Sequence, residues 1–398
     1  MRTGAIAAGA LSFGPAFWAE ALAAPAQVGP GPYGPLGPPD ANGIALPEGF
    51  TARTIARGGT TVEGTGYTWH VFSDGAATFA TPDGGWILVS NSEIPTPVEV
   101  GVPVIGQLGE GGASAIRFRP DGSIADAYRI LSGTSSNCAG GSTPWGAWLS
   151  CEEIEDGLVW ECDPLGEREA VARPALGAFK HEAVCVDPRR GHAYLSEDEG
   201  DGCLYRFKPA RKGDLSEGRL QVAVVGRRGF VEWKPIPDPA ATSTPTRDQV
   251  PGATRFKRGE GIWFDSGFVY LATTGDSKIR AYDTRKKKIT PVYAPARLTD
   301  PPLTDVDNVT VSQSGDLFVC ENSGGSDGID ICIITPKPKR QVARFLKLSG
   351  PAHGNPETEA SSEATGVVFD PSGNRMYFAS QRVSGVGAVY EVTGPFRT

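Results

Sequence analysis

The chain has 398 residues, with 52 Gly, 33 Pro, only 2 Met and a formal charge of −8. That length is ample for a large buried core. The acidic balance leaves no basic face to release counterions, which argues against nucleic acid and makes cations the natural partners. Apolar runs are short and bounded by Gly, Pro, Asp and Asn, the pattern of a single all-β domain.

Residues 1–26 read as an export signal. Positions 4–24 are an Ala/Gly-rich apolar run ending in small residues before Pro25-Ala26, as at an A-x-A-like cleavage site. Pro15 and Glu20 interrupt the run, so no stable membrane span is expected. Only Arg2 precedes it, yet it looks like the tail of a longer twin-arginine signal. The twin-arginine machinery is then a partner, and the destination is the periplasm or the medium. Such a route suits a protein that takes up metal before export. Residues 27–43, with Pro30, Pro32, Pro35, Pro38 and Pro39, read as a linker without regular structure.

From residue 44 to 398 one motif recurs: a turn with Gly or Asn, an apolar run, then a polar or acidic end. The copies are 85–93, 146–153, 191–198, 267–274, 315–322 and 374–381. Asp187-Pro188 and Asp370-Pro371 start hairpin turns before two of them, with Gly or Asn supplying positive φ. A third strand follows in several copies, as at Leu204–Phe207, Lys278–Tyr282 and Ile331–Ile334. Six such units predict a six-bladed β-propeller. Its longest insertion, near 208–257, is expected to lie over one face. Pairing of the last strand, near 387–392, with the early strand near Thr51–Ile55 would close the ring and remove two edges.

The first strand of each blade lines the channel of such a fold. Four of them are entered through an acid: Glu182, Glu260, Asp307 and Glu363. Glu152, Glu153, Asp198 and Glu321, at the ends of second strands, are candidates for the same rim. Singly, each acid reads as a turn cap or an ion-pair partner. As a set they would repel one another unless cations lie between them. Oxygen ligands favour hard ions such as Ca²⁺ or Fe³⁺. Cys138, in the Gly-rich stretch 137–146, is able to approach a metal as thiolate, although a lone loop cysteine is more often inert or disulfide-bonded. The other cysteines are Cys151, Cys162, Cys185, Cys203, Cys320 and Cys332; no CxxC occurs, and their connectivity is not legible. His70, His192 and His353 lack ligand spacing, while His181 beside Glu182 is a candidate to support a ligand indirectly. There is no G-x-S-x-G elbow, which disfavours a serine hydrolase.

Taken in order, Asn137-Cys138-Ala139-Gly140-Gly141 through Cys151-Glu152-Glu153, His181-Glu182-Ala183, Arg258-Gly259-Glu260-Gly261, Asp307-Asn308 and Ser362-Glu363-Ala364-Thr365-Gly366 resemble the PhoX-type alkaline phosphatase family. The resemblance implies an axial site holding calcium and iron that hydrolyses phosphate monoesters. It implies Cys138 as an iron ligand and Glu182, Glu260, Asp307 and Glu363 as metal ligands, with Glu152, Asp198 and Glu321 as further ones. Arg258 would grip the phosphate, and Glu260 would share the catalytic site with it. The chain is shorter than full-length members, and its last motif runs Ser380-Gln381-Arg382-Val383 where the family tends to have His-Pro after Gln. A monomer is expected. Two other functions fit the same residues: a metal-binding scaffold without activity, and a lactonase-like hydrolase using one Ca²⁺. A phosphate clamp needs Arg258, whereas a scaffold or a neutral lactone does not.

Overall fold

A computed structural model of the chain describes residues 25–95, 110–322, 328–336, 340–355 and 360–398. The expected export signal, Pro25 and Ala26 apart, lies outside them. The described residues are almost entirely β-structure: six sheets, antiparallel apart from one edge pairing, are arranged as the blades of a propeller, and Gly354–Asn355 with Ala360–Ser361 forms a separate two-stranded sheet. The first blade comprises Ser73–Ala80, Trp86–Ser92, Gly111–Phe118 and Ile124–Thr134. The second comprises Asn137–Ser142, Trp148–Glu152, Val159–Cys162 and Val171–Ala172. His181–Val186 opens the third, Gly259–Asp265 the fourth, Val306–Val311 the fifth and Ala364–Phe369 the sixth. These opening strands contact their neighbours in sequence order, and that of the sixth returns to that of the first.

The repeat follows from local chemistry. Asp187 Oδ1 accepts the Arg189 amide and Asp370 Oδ1 the Arg375 amide, so each Asp-Pro turn is clamped by its own side chain. Gly191 (φ 72°) and Gly373 (φ 74°) then supply the left-handed step. The apolar residues gather in six clusters, one between each neighbouring pair of blades. Strands buried on both faces open as continuous apolar runs, as in residues 86–89 of Trp86–Ser92 and 193–195 of Ala193–Glu197.

The ring closes as the sequence predicts. Ala388–Thr393 pairs antiparallel with Thr51–Arg57, which becomes the outer strand of the sixth blade. Two readings change. Gln27-Val28, inside the expected linker, pairs in parallel with Gln341-Val342 and covers the edge of the fifth blade. The first half of the 208–257 stretch is not an insertion over a face. Leu204–Arg211, Asp214–Val225 and Val231–Pro235 pair in succession and give the third blade five strands.

Candidate metal centre

Each opening strand starts with the same irregularity. In the first blade Ser73 pairs with Ser92 and Ala76 with Ser90, so the inner strand carries one residue more than its partner. The same shift follows Asn137, His181, Gly259, Val306 and Thr365. Such a bulge re-aims the side chain it carries. Its first residue is Asp74, Cys138, Glu182, Glu260 and Asp307 in blades one to five. In the sixth blade it is Gly366, and Glu363 lies before the strand begins.

The second strands supply the rest by simple alternation. Glu152, Glu197 and Glu321 sit opposite the first residue of their inner strands. They turn away from the axis and staple loops. Glu152 accepts from the Ser135 and Leu158 amides and the Trp160 indole. Glu321 accepts from the Thr304 and Asp330 amides. One residue further on the side chains turn the other way, and Glu93, Glu153 and Asp198 join the rim.

The result is a continuous arc. Asp74, Glu93 and Cys138 can each offer a ligand atom within 4.8 Å of the others. The same distance joins Cys138, Glu153 and Glu182, and again Glu182, Glu260 and Asp307. Cys138 and Glu182 are shared, so seven side chains from five blades form one chain of ligands. Asp74 Oδ1 and both oxygens of Glu182 are buried without a hydrogen-bond partner among the described residues. Buried carboxylates normally have partners, and bare ones fit a site built to hold cations. Two of the groups combine a thiol with carboxylates, as suits iron. The third is all oxygen, as suits calcium.

Burial and crowding favour the protonated forms of these acids. Burial, and then Glu260, Glu153, Asp307 and Asp74, push Glu182 well above the usual carboxylate range. Asp307, Glu260 and Asp74 are raised in the same way, by burial first and neighbouring acids after it. Glu153 is pushed up to about 10 by burial and by Glu93, Asp198 and Glu260. Burial and four nearby carboxylates raise the Cys138 thiol.

Two arginines border the arc. Arg258 Nε and Nη2 donate to the two oxygens of Asp198 at 3.0 and 2.8 Å, and Nη2 lies 3.2 Å from Glu260 Oε1. Its φ of 50° is a left-handed backbone on a bulky residue, fixed by its amide on Glu199 O and its carbonyl on Thr274 N. Arg382 donates to Glu363 and lies 3.4 Å from Glu93. Gln381, one residue earlier, donates to both Asp74 and Glu93.

The structure therefore brings Cys138, Glu182, Glu260 and Asp307 together, with Asp198 held beside them by Arg258. Glu363 stands at the edge, paired with Arg382. Glu152 and Glu321 are corrected to loop staples, because their strand positions face away from the axis. His181 also faces away from Glu182. Its Nε2 lies 3.0 Å from Gly177 O and its ring packs on Phe179. All seven cysteines are free. Sequence reasoning missed Asp74 as a site residue. Its signal is an acid or thiol followed by a small residue, shared by Asp74-Gly75, Cys138-Ala139, Glu182-Ala183 and Glu260-Gly261.

The family model described as alkaline phosphatase PhoX matches residues 111–163 and 155–297. That region holds Cys138, Glu153, Glu182, Asp198, Arg258 and Glu260, and the match bears out the PhoX-type resemblance. No curated protein matches the chain significantly. Among solved structures, a protein of unknown function from Bacteroides thetaiotaomicron aligns with 90% of this chain and 83% of its own, at 10% identity and TM-score 0.52. Another of unknown function from Dyadobacter fermentans aligns with 89% and 100%, at 9% identity and TM-score 0.51. A gluconolactonase from Xanthomonas campestris aligns with 92% and 99%, at 12% identity and TM-score 0.48. At these identities the likeness to the first two speaks for the fold alone.

Proposed function

We propose that this PhoX-type chain is a metal-dependent phosphatase that hydrolyses phosphate monoesters at an axial centre holding calcium and iron. The observation that carries this reading is the arc itself: bare buried carboxylates linked through one thiol, with a half-exposed guanidinium fixed at the rim. Cys138 with Asp74, Glu93, Glu153 and Glu182 would hold iron, and Glu182, Glu260 and Asp307 would hold calcium. The metals, when bound, would supply Lewis-acid charge and an activated water-derived nucleophile.

The chain's own residues bind and orient. Asp198 grips two nitrogens of Arg258 and so fixes the plane of its guanidinium. The side chain is 41% exposed, which leaves it a free edge for the oxygens of a phosphoryl group. A rigid cation at that place neutralises charge that builds on those oxygens, and it does so without reorganising. Glu260 touches Arg258 and reaches into the arc, which couples anion binding to the metal-holding groups. The part played by residues 1–26 is export, and among the described residues no helix is long and apolar enough to cross a membrane.

Hydrolysis of a chromogenic phosphate monoester, with calcium and again after chelation, tests the reading. Calcium-dependent turnover abolished by chelation is expected. Absence of turnover in protein shown to hold its metals would move the assignment to a metal-binding scaffold or another hydrolase. Arg258→Ala should lower kcat/KM about 100-fold or more while metal content, measured by elemental analysis, stays level. Full activity in that variant would remove Arg258 from the mechanism.

A further inference from the structure

Arg258 and Arg382 occupy opposite sides of the ring. Arg258 bonds Asp198 of the third blade and meets Glu260 of the fourth. Arg382 bonds Glu363, at the mouth of the sixth blade, and approaches Glu93 of the first. In a closed ring of six these two boundaries are three blades apart in either direction. Both side chains are part exposed, 41% and 44%, so each turns a face away from its acids. Each guanidinium is also tied to acids of its own side.

We propose that Arg382 is a second anion-recognition residue, and that the centre selects phosphate monoesters whose leaving group carries a second anionic group. This rests on the phosphatase reading for the role of Arg258. One anion docks at Arg258 beside the acid arc. The second docks across the mouth at Arg382, where Gln381 braces the adjoining Asp74 and Glu93. An arginine suits this task because its charge is permanent and its fork keeps free donors after one carboxylate is bound.

The test uses the metal-loaded full chain and two hydrolysis-resistant probes, propylphosphonate and propane-1,3-bisphosphonate, titrated calorimetrically in excess calcium. The wild type should bind the bisphosphonate about tenfold or more tighter than the monophosphonate, the gain of one added charge-assisted contact. Arg382→Ala should collapse that ratio towards unity, and Arg382→Lys should restore part of it. General damage to the site would weaken both probes together and leave the ratio unchanged. An unchanged ratio in Arg382→Ala, or a wild type that does not prefer the bisphosphonate, overturns the proposal. Turnover of 4-nitrophenyl phosphate in the same preparation judges the phosphatase reading separately, since the affinity ratio does not depend on it.

Discussion

One residue separates a structural acid from a site acid. Glu152 and Glu153 are adjacent and chemically alike, yet the pleat sends one to the loop at Ser135 and Leu158 and the other to the rim. The sequence could not choose between them, because Trp148–Glu152 is buried throughout and shows no inside–outside alternation. Their substitutions should therefore part. Glu152→Gln replaces an acceptor of three donors and should cost about 1–3 kcal/mol in chemical denaturation with metal content retained. Glu153→Gln should lower metal content at nearly unchanged stability of the chelated protein. The reverse pattern would show that the alternation has been assigned the wrong way round.

At the scale of the strand, the recurring device is a bulge followed by a small residue. The bulge aims Glu260 inwards, and Gly261 lets the neighbouring blade close against it. A Cβ built on Gly261 would lie 2.6 Å from the Asn308 Cα, and one on Gly75 2.4 Å from the Ala139 Cα. Asn308 also accepts the Gly366 amide and donates to Asp307, so it ties the fifth blade to the sixth. Gly261→Val should overpack this contact and destabilise the protein by about 1–3 kcal/mol, read from its denaturation midpoint, with loss of bound metal as the arc is prised open. A variant as stable and as metal-rich as the wild type would show that the close approach is not needed. Glu363 illustrates the limit of reading by offset. It precedes a strand as Glu182 does, but the bulge of its blade falls at Gly366, so it reaches the site from outside the repeat.

At the scale of the molecule, folding collects acids that the unfolded chain keeps apart. Burial and mutual repulsion raise Glu363 to about 7 and Glu153 to about 10 from 4.5. A raised carboxyl stabilises the fold fully below its unfolded value, and that contribution is lost as pH rises through the folded one. The chelated protein should therefore lose stability from about pH 5 to pH 9, at about 1.4 kcal/mol per pH unit for each proton the fold retains. Excess calcium should flatten the profile. Thermal melts across this range, with and without calcium, check it. A chelated protein that gains stability towards pH 9 would show that the acids are ionised and paired in the fold.

The sequence by itself determined the architecture. Its turn residues, short apolar runs and six-fold repetition are local properties, and they specify six blades and their closure through Thr51–Arg57 without knowledge of the rest. It also singled out Cys138, Glu182, Arg258, Glu260 and Asp307 as candidates, from acids at strand entrances and from the family resemblance. Only the tertiary structure decided which acids share space. The bulge, the pleat and the ring set side-chain direction. These are relations between strands, and so Asp74 enters the site, Glu152 and Glu321 leave it, and Arg382 comes to stand across the channel from Arg258.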